Sequence, residues 1–258
     1  MSTFDFGLNW EAYSGEKLDE SRVAVAGQSL QLLLQSDSLR GLSFLDVGCG
    51  SGLFSIAALR LGATRVVGID INPRCIAVSD RNRDRLAPGA AMSFVRMSVL
   101  DSQDMQTLGQ FDVVYAWGSL HHTGAMLDAI RIVARQVATN GTLVLAIYNK
   151  HWTSPVWKLI KRFYNGVPHV IQHIFVPFFA AIIYVAKFLV TRRNPLSKER
   201  GMDFWYDVID WIGGYPYEYA TPQEVERFMG AQGYMLKNFI AAQVPTGCNE
   251  FVFGRITA

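Results

Sequence analysis

The stretch FLDVGCGSGLFS, Phe44 to Ser55, concentrates residue types that can hold a ligand: an apolar run reaches Asp46, and Gly48, Gly50 and Gly52 follow at alternate positions. A glycine-rich turn between a strand and a helix lets a ligand approach the backbone closely at the carboxyl ends of the strands. A dinucleotide fingerprint would read G-x-G-x-x-G. Gly48 and Gly50 fit it, but Leu53 stands where the third glycine belongs. A carboxylate at Asp46, ahead of the turn, does nothing for a pyrophosphate, so a ligand with a positive end suits the site better. Two more acids follow at the ends of apolar runs, Asp70 in VVGID and Asp101 in SVLD. An acid about 20 residues beyond such a turn can accept from both ribose hydroxyls.

LDVGCGSG resembles the first motif of the class I S-adenosylmethionine (SAM)-dependent methyltransferases, and SAM carries its positive charge on an ammonium and a sulfonium. The resemblance covers residues 42–149 well and 220–256 in outline. It implies that Asp46 orients the methionine end and that Gly48, Gly50 and Gly52 line the cofactor. It implies further that Asp70 takes the ribose, that Asp101 faces the adenine amino group, and that Ile71 and Trp117 join the cofactor-binding set. In the family the residues after the fourth strand sit between cofactor and substrate. Here they read YAWGSLHHTGAM, similar to the leucine–histidine–histidine stretch of several small-molecule branches. Methyl transfer is an in-line displacement, so the protein mainly aligns the acceptor and removes its proton. A histidine with a pKa near neutrality suits that task. His122 is the candidate base and His121 the second; the alternative is that they only pack or hydrogen-bond below the cofactor. The N-methyltransferase signature Asn/Asp-Pro-Pro-Tyr is absent, which argues against an amide or nucleobase nitrogen as acceptor.

The elements that must position these residues alternate. LSFLDVG, TRVVGID, MSFVRMSVLD, FDVVYAWG and GTLVLAIYN read as strands, separated by helical patterns such as SGLFSIAALRLG and GAMLDAIRIVARQVAT. Such apolar strands point to a parallel sheet covered on both faces. TPQEVERFMGAQG reads as a helix with a Thr-x-x-Glu capping pattern at Thr221 and Pro222 in its first turn. MLKNFIAAQV and NEFVFGRIT close the chain as an antiparallel pair. The expected fold is α/β, Rossmann-like and doubly wound: a mostly parallel seven-stranded sheet with an antiparallel C-terminal strand and a helical insertion after strand five. The expected organisation is an N-terminal helical cap (1–40), a SAM-binding core (41–149), a substrate lid (150–220) and the C-terminal part of the sheet (221–258).

The insertion raises two questions. RGMDFWYDVIDWIGGYPYEYA is rich in aromatics and acids, with Asp207 and Asp210 on one helical face. Asp207, Asp210, Trp211 and Tyr215 are candidate substrate contacts; the plain alternative makes Trp205, Tyr206 and Trp211 lid core. Asn249 or Glu250 in TGCNEFVF is a further candidate contact, whereas Cys248 reads as a buried thiol. From Ile174 to Ala186 no residue is charged, and Lys158, Lys161, Arg162, Arg192 and Arg193 flank the run. The run reads as a buried lid helix or, through residues 155–193, as an element lying on an anionic membrane surface. Spanning is disfavoured, because the strands before the run and the helix after it belong to one sheet.

Of 258 residues, 50% are hydrophobic and 18% are charged, which supplies a sizeable core and argues against wholesale disorder. The formal net charge is only +2, yet residues 150–200 hold nine basic residues against one acid. The three cysteines are scattered without metal-ligand spacing, and no secretory signal opens the chain, so a cytoplasmic setting is expected, at the inner face of a membrane if the insertion docks there. The leading function is a SAM-dependent methyltransferase acting on a small-molecule acceptor, at a hydroxyl oxygen on a hydrophobic, sugar- or lipid-linked substrate. No DNA partner and no metal are expected. An RNA methyltransferase using the basic segment, or a catalytically silent SAM-binding scaffold, are the competing readings.

Overall fold

The computed structural model describes residues 5–192, 194–196 and 203–256. Its seven strands are β1 Ser43–Val47, β2 Arg65–Asp70, β3 Met92–Arg96, β4 Phe111–Trp117, β5 Val137–Tyr148, β6 Tyr234–Ile240 and β7 Cys248–Arg255. They form one sheet ordered β3-β2-β1-β4-β5-β7-β6. β1 to β5 pair in parallel, and β7 runs antiparallel to both β5 and β6. The strand order reverses at β1, so the crevice between the carboxyl ends of β1 and β4 is the natural ligand position.

The strands are apolar because helices cover both faces. In β1, Leu45 and Val47 point into one core and Phe44 into the other. One face is packed by α1 Phe6–Glu16, α2 Glu20–Leu34, α3 Leu53–Arg60 and α4 Pro73–Leu86, the other by α5 Ser102–Thr107, α6 Met126–Ala134 and α10 Pro222–Gly230. Fully buried side chains such as Phe44, Leu45 and Ile56 each contribute about 1.5–3 kcal/mol of transfer free energy. The capping box at Thr221 and Glu224 forms in both directions and starts α10 where the sequence signals it.

The insertion folds as α7 Ser154–Gly166, α8 His169–Thr191 and α9 Phe204–Gly213. α7 and α8 both pack on α9 around Tyr164, Val176, Ala180, Val208 and Ile212. Asp203 caps α9 and also pairs with Arg22 of α2 at 3.5 Å, which ties the insertion to the N-terminal helices.

Three local expectations change. β3 stops at Arg96, and SVLD forms a turn that leads into α5. α6 ends at Ala134, because Val137 already pairs with Phe111 and opens β5 four residues before Gly141. α8 begins at His169, so Pro177 lies inside it rather than at its start and forfeits one i to i−4 hydrogen bond. Of the basic residues that flank the apolar run, Arg193 lies outside the described residues.

Candidate active site

A cavity of about 1300 Å³ opens at the carboxyl ends of the parallel strands. β1, β2 and β4 form its floor. α1, α8, α9 and the loop before β7 form its walls and roof.

The glycine turn begins with Gly48, exposed toward the cavity at φ +76°. A Cβ there would overlap the Ser119 side chain, whose Oγ donates to the Val47 carbonyl at 2.8 Å. Gly50 and Gly52 correct the expectation, since both are buried and neither lines the cavity. A Cβ at Gly50 would come 2.8 Å from the Trp10 ring, and one at Gly52 would come 2.8 Å from Phe94. Only the first glycine lines the cavity; the other two admit close packing.

Asp46 lines the cavity at 3% exposure and accepts from Ser55 Oγ at 2.7 Å. Burial pushes its carboxyl up to about 7, against the Ser55 hydrogen bond and with repulsion from Asp70. Asp70 lines the cavity beside it. Its Oδ2 accepts from the Gly50 N–H at 3.2 Å and its Oδ1 from the Asn72 N–H at 2.8 Å. Burial raises Asp70 as well, opposed by those backbone bonds. A buried and a half-buried acid on adjacent strand ends are short of positive charge, and a cationic ligand end supplies it. Each Asp70 oxygen keeps lone pairs for hydroxyl donors. Ile71 stands 66% exposed on the rim and Trp117 lines the wall. These residues fit SAM: Asp46 for the charged methionine end, Asp70 for the ribose, Ile71 and Trp117 for apolar surface.

Asp101 is the second correction. It is exposed, does not line the cavity, and caps α5 by accepting from the Gln103 and Asp104 N–H groups, each at 3.1 Å. Met97, Ser98, Val99 and Leu100 line the cavity where it was expected. The chain turns after Arg96, and the acid that looked like a strand end is a helix cap.

The histidines differ. His122 Nδ1 lies 2.7 Å from the Pro216 carbonyl. A carbonyl only accepts, so Nδ1 carries the proton and Nε2 the lone pair. Burial, then the charge of Lys161, lowers the imidazole to about 3, against the Pro216 bond. This corrects the expected near-neutral pKa; His122 is held as the neutral tautomer. Gly214 allows this placement, since a Cβ there would come 2.5 Å from His122 Cε1. His121 is fully buried, packs against Tyr148 with ring centroids 4.0 Å apart and planes tilted by 41°, and is also held neutral by burial. Its ring nitrogens make no well-formed hydrogen bond, the Ala146 backbone offering only a weak contact.

The insertion brings its candidates to the same cavity. Asp207, Asp210, Trp211 and Tyr215 all line it. Asp210 Oδ1 accepts from Asn9 Nδ2 at 2.7 Å, and burial raises its carboxyl well above the usual range. Trp211 meets Trp157 edge to face at 4.4 Å. Asn249 is buried and ties the Ala242 N–H to Asn149, whereas Glu250 and Cys248 line the cavity.

Two residues of α1 and one buried cation stand beside the candidates that the sequence singles out. Phe6 and Trp10 of α1 line the cavity. Lys161, read as part of the basic flank, is fully buried, with Nζ 4.7 Å from the Trp211 ring, 4.8 Å from Tyr217 and 5.5 Å from Tyr148. No hydrogen-bond partner is described for that Nζ, and burial lowers the amine to about 7. Its i, i+3 spacing from the flanking Lys158 gave no hint of this; the rings around it come from the end of β5, from α9 and from the segment after α9.

The sheet order and the placement of the site define a class I SAM-dependent methyltransferase fold. The chain belongs to the methyltransferase-domain family, whose model matches residues 18–234. Among solved structures it is similar to a magnesium protoporphyrin IX methyltransferase from Synechocystis PCC 6803 with bound SAH, at TM-score 0.58 and 16% identity over 96% of this chain and 93% of that one. It is also similar to the 1,6-didemethyltoxoflavin-N1-methyltransferase of Burkholderia thailandensis, bound to its substrate and S-adenosylhomocysteine, at TM-score 0.53 and 14% identity over 93% and 80% of the two chains. In sequence it is 34% identical over 113 residues to a ribosomal protein L11 methyltransferase of Photobacterium profundum, 43% of this chain and 37% of that protein. The match thus spans little more than a third of that relative. Both of those solved neighbours hold S-adenosylhomocysteine, the demethylated form of SAM.

Proposed function

We propose that this chain transfers a methyl group from SAM to a hydroxyl oxygen of a hydrophobic small molecule, one bearing a sugar or a lipid tail. The observation that carries the proposal is the continuity of the cavity. It runs from Asp46 and Asp70, past His122, to aromatic and aliphatic side chains of α8 and α9. Bound SAM supplies a methyl group already activated on a sulfonium. His122, neutral and anchored through Nδ1, offers Nε2 to an acceptor hydroxyl, orients it and takes its proton as the methyl group arrives, with S-adenosylhomocysteine as the leaving product. Asp210, whose carboxyl burial raises, lines the cavity as a polar contact for a sugar or ring oxygen. Trp211 and Tyr215 supply aromatic faces.

The fold neighbours include enzymes of small molecules, a protoporphyrin and a toxoflavin precursor by their descriptions. A basic RNA-binding face is less apt, because Lys161 is buried and Lys158 and Arg162 border exposed apolar residues.

The test is label transfer. Purified protein, carbon-13 methyl SAM and host extract are incubated, and the extract is split into lipid, aqueous, RNA and protein fractions. The proposal expects label in the lipid fraction, at an O-methyl chemical shift. Label confined to RNA, to protein or to water-soluble metabolites contradicts it. Label in protein would instead favour an acceptor of the kind named for the L11 methyltransferase relative.

A further inference from the structure

The insertion leaves a broad apolar surface uncovered. α8 buries Val176 and Ala180 against α7 and α9. Ile171, Ile174, Phe178, Ile182, Val185 and Leu189 of the same helix are exposed. Their spacing of three and four residues places them on one face. The 18 residues Ile174–Thr191 have a mean hydropathy of 2.2, yet only 11% of them are buried within the protein. At about 1.5 Å per residue the stripe runs on the order of 27 Å. α7 repeats the pattern, with Val156, Leu159 and Phe163 exposed and Trp152 81% exposed just before it. Phe163 and Phe175 meet at 6.2 Å and join the two stripes. Lys158, Arg162 and Arg192 are exposed around them, and no acid lies between Ser154 and Asn194.

An apolar face with cationic edges complements an anionic bilayer, whose tails take the stripe and whose headgroups take the cations. A second copy of this chain would set like charges against each other. A spanning arrangement needs the two ends of α8 on opposite sides of the membrane. Here α9 packs beside α8, α7 meets α8 through Trp157 on Phe179 and Phe163 on Phe175, and α9 is tied to α1 through Asn9 and Asp210. α8 also has a second role. Ile182, Ile183, Ala186, Lys187 and Val190 line the cavity, and Ile182 and Val190 are at the same time exposed. One helix is therefore both a cavity wall and part of the uncovered face.

We infer that α7 and α8 dock the protein on an anionic bilayer surface, and that α8 forms the rim over which an amphiphilic acceptor passes from lipid into the cavity. The identity of the acceptor rests on the function proposed above; the docking does not.

The test is flotation of the full chain with vesicles of phosphatidylcholine, alone or mixed with phosphatidylglycerol, alongside SAM affinity as a control for folding. The inference expects binding to the mixed vesicles that weakens with salt. It expects the double variant Ile174→Glu/Phe178→Glu to bind at least about tenfold more weakly at unchanged SAM affinity. Absence of flotation overturns the docking. So does equal flotation by the variant, or a wild-type dimer that the variant splits, which would assign the face to a second copy. With lipid extract as acceptor, the variant is expected to lose transfer from vesicles and keep it in detergent micelles; equal loss in both overturns the rim. Flotation by a wild type that methylates nothing in the lipid extract upholds the docking and refutes the acceptor proposal alone.

Discussion

At the ends of β1 and β2 the cavity wall is held by neighbours close in sequence: Asp46 by Ser55 nine residues on, Asp70 by Asn72 two residues on and Gly50 twenty back. On the insertion side the bonds join distant parts of the chain. Asn9 reaches Asp210 across 201 residues, and His122 reaches Pro216 across 94. The cofactor half is a local strand–turn–helix device that one motif can encode. The acceptor half exists only once α1, α7, α9 and the turn after β4 have assembled. The first half rests on contacts local in sequence and the proposed acceptor half on contacts between distant segments, which is why a motif announces the one and not the other.

Breaking the cofactor half at its most constrained atom gives the largest effect. Gly48→Val adds a Cβ where Ser119 already lies, at a φ of +76° that β-branched residues avoid. SAM affinity measured by calorimetry is expected to fall by more than about 100-fold, since the floor must shift by the width of a methyl group.

A smaller effect separates the halves by pH. Asp46, raised to about 7, is largely protonated below that value, and a cationic ligand end favours its ionised form. SAM affinity is therefore expected to rise about tenfold per unit from about pH 5 to about pH 7 and to level off above, because one pKa unit corresponds to about 1.4 kcal/mol. The sign for folding is opposite. A carboxyl raised above its unfolded value stabilises the ligand-free protein at low pH, and that contribution is lost as pH rises through about 7. A flat affinity profile would mean that Asp46 is ionised before SAM arrives.

The smallest effect sharpens the boundary of the cofactor half. Asp101→Ala removes a cap and is expected to cost about 1 kcal/mol in urea unfolding at unchanged SAM affinity. A loss of SAM binding without a loss of stability would return Asp101 to the adenine.

Much of the parallel sheet was legible because its strands are apolar runs of ordinary length between helical patterns, and Asp46, Gly48 and Asp70 line the cavity at the positions their local motif suggests. Asp101 misled because a strand-end acid and a helix-cap acid look alike until the strand's last paired residue, Arg96, is known. Gly50 and Gly52 misled because a glycine gives way to protein, here Trp10 and Phe94, as readily as to ligand. The low pKa of His122 was invisible, since its causes are burial by remote elements and the charge of Lys161. Lys161 itself read as surface because nothing in α7 announces the rings of Trp211, Tyr217 and Tyr148 around it.

The division of the cavity is tested most directly by SAM titration of two variants, Asp70→Ala and Trp211→Ala. Asp70→Ala removes a charged acceptor, an interaction of about 1.5–3 kcal/mol, and is expected to weaken SAM roughly 10- to 100-fold. Trp211→Ala is expected to leave SAM affinity within about twofold while abolishing transfer to the lipid fraction. Equal weakening of SAM by both variants, or none by Asp70→Ala, would contradict a cavity with a cofactor half and an acceptor half.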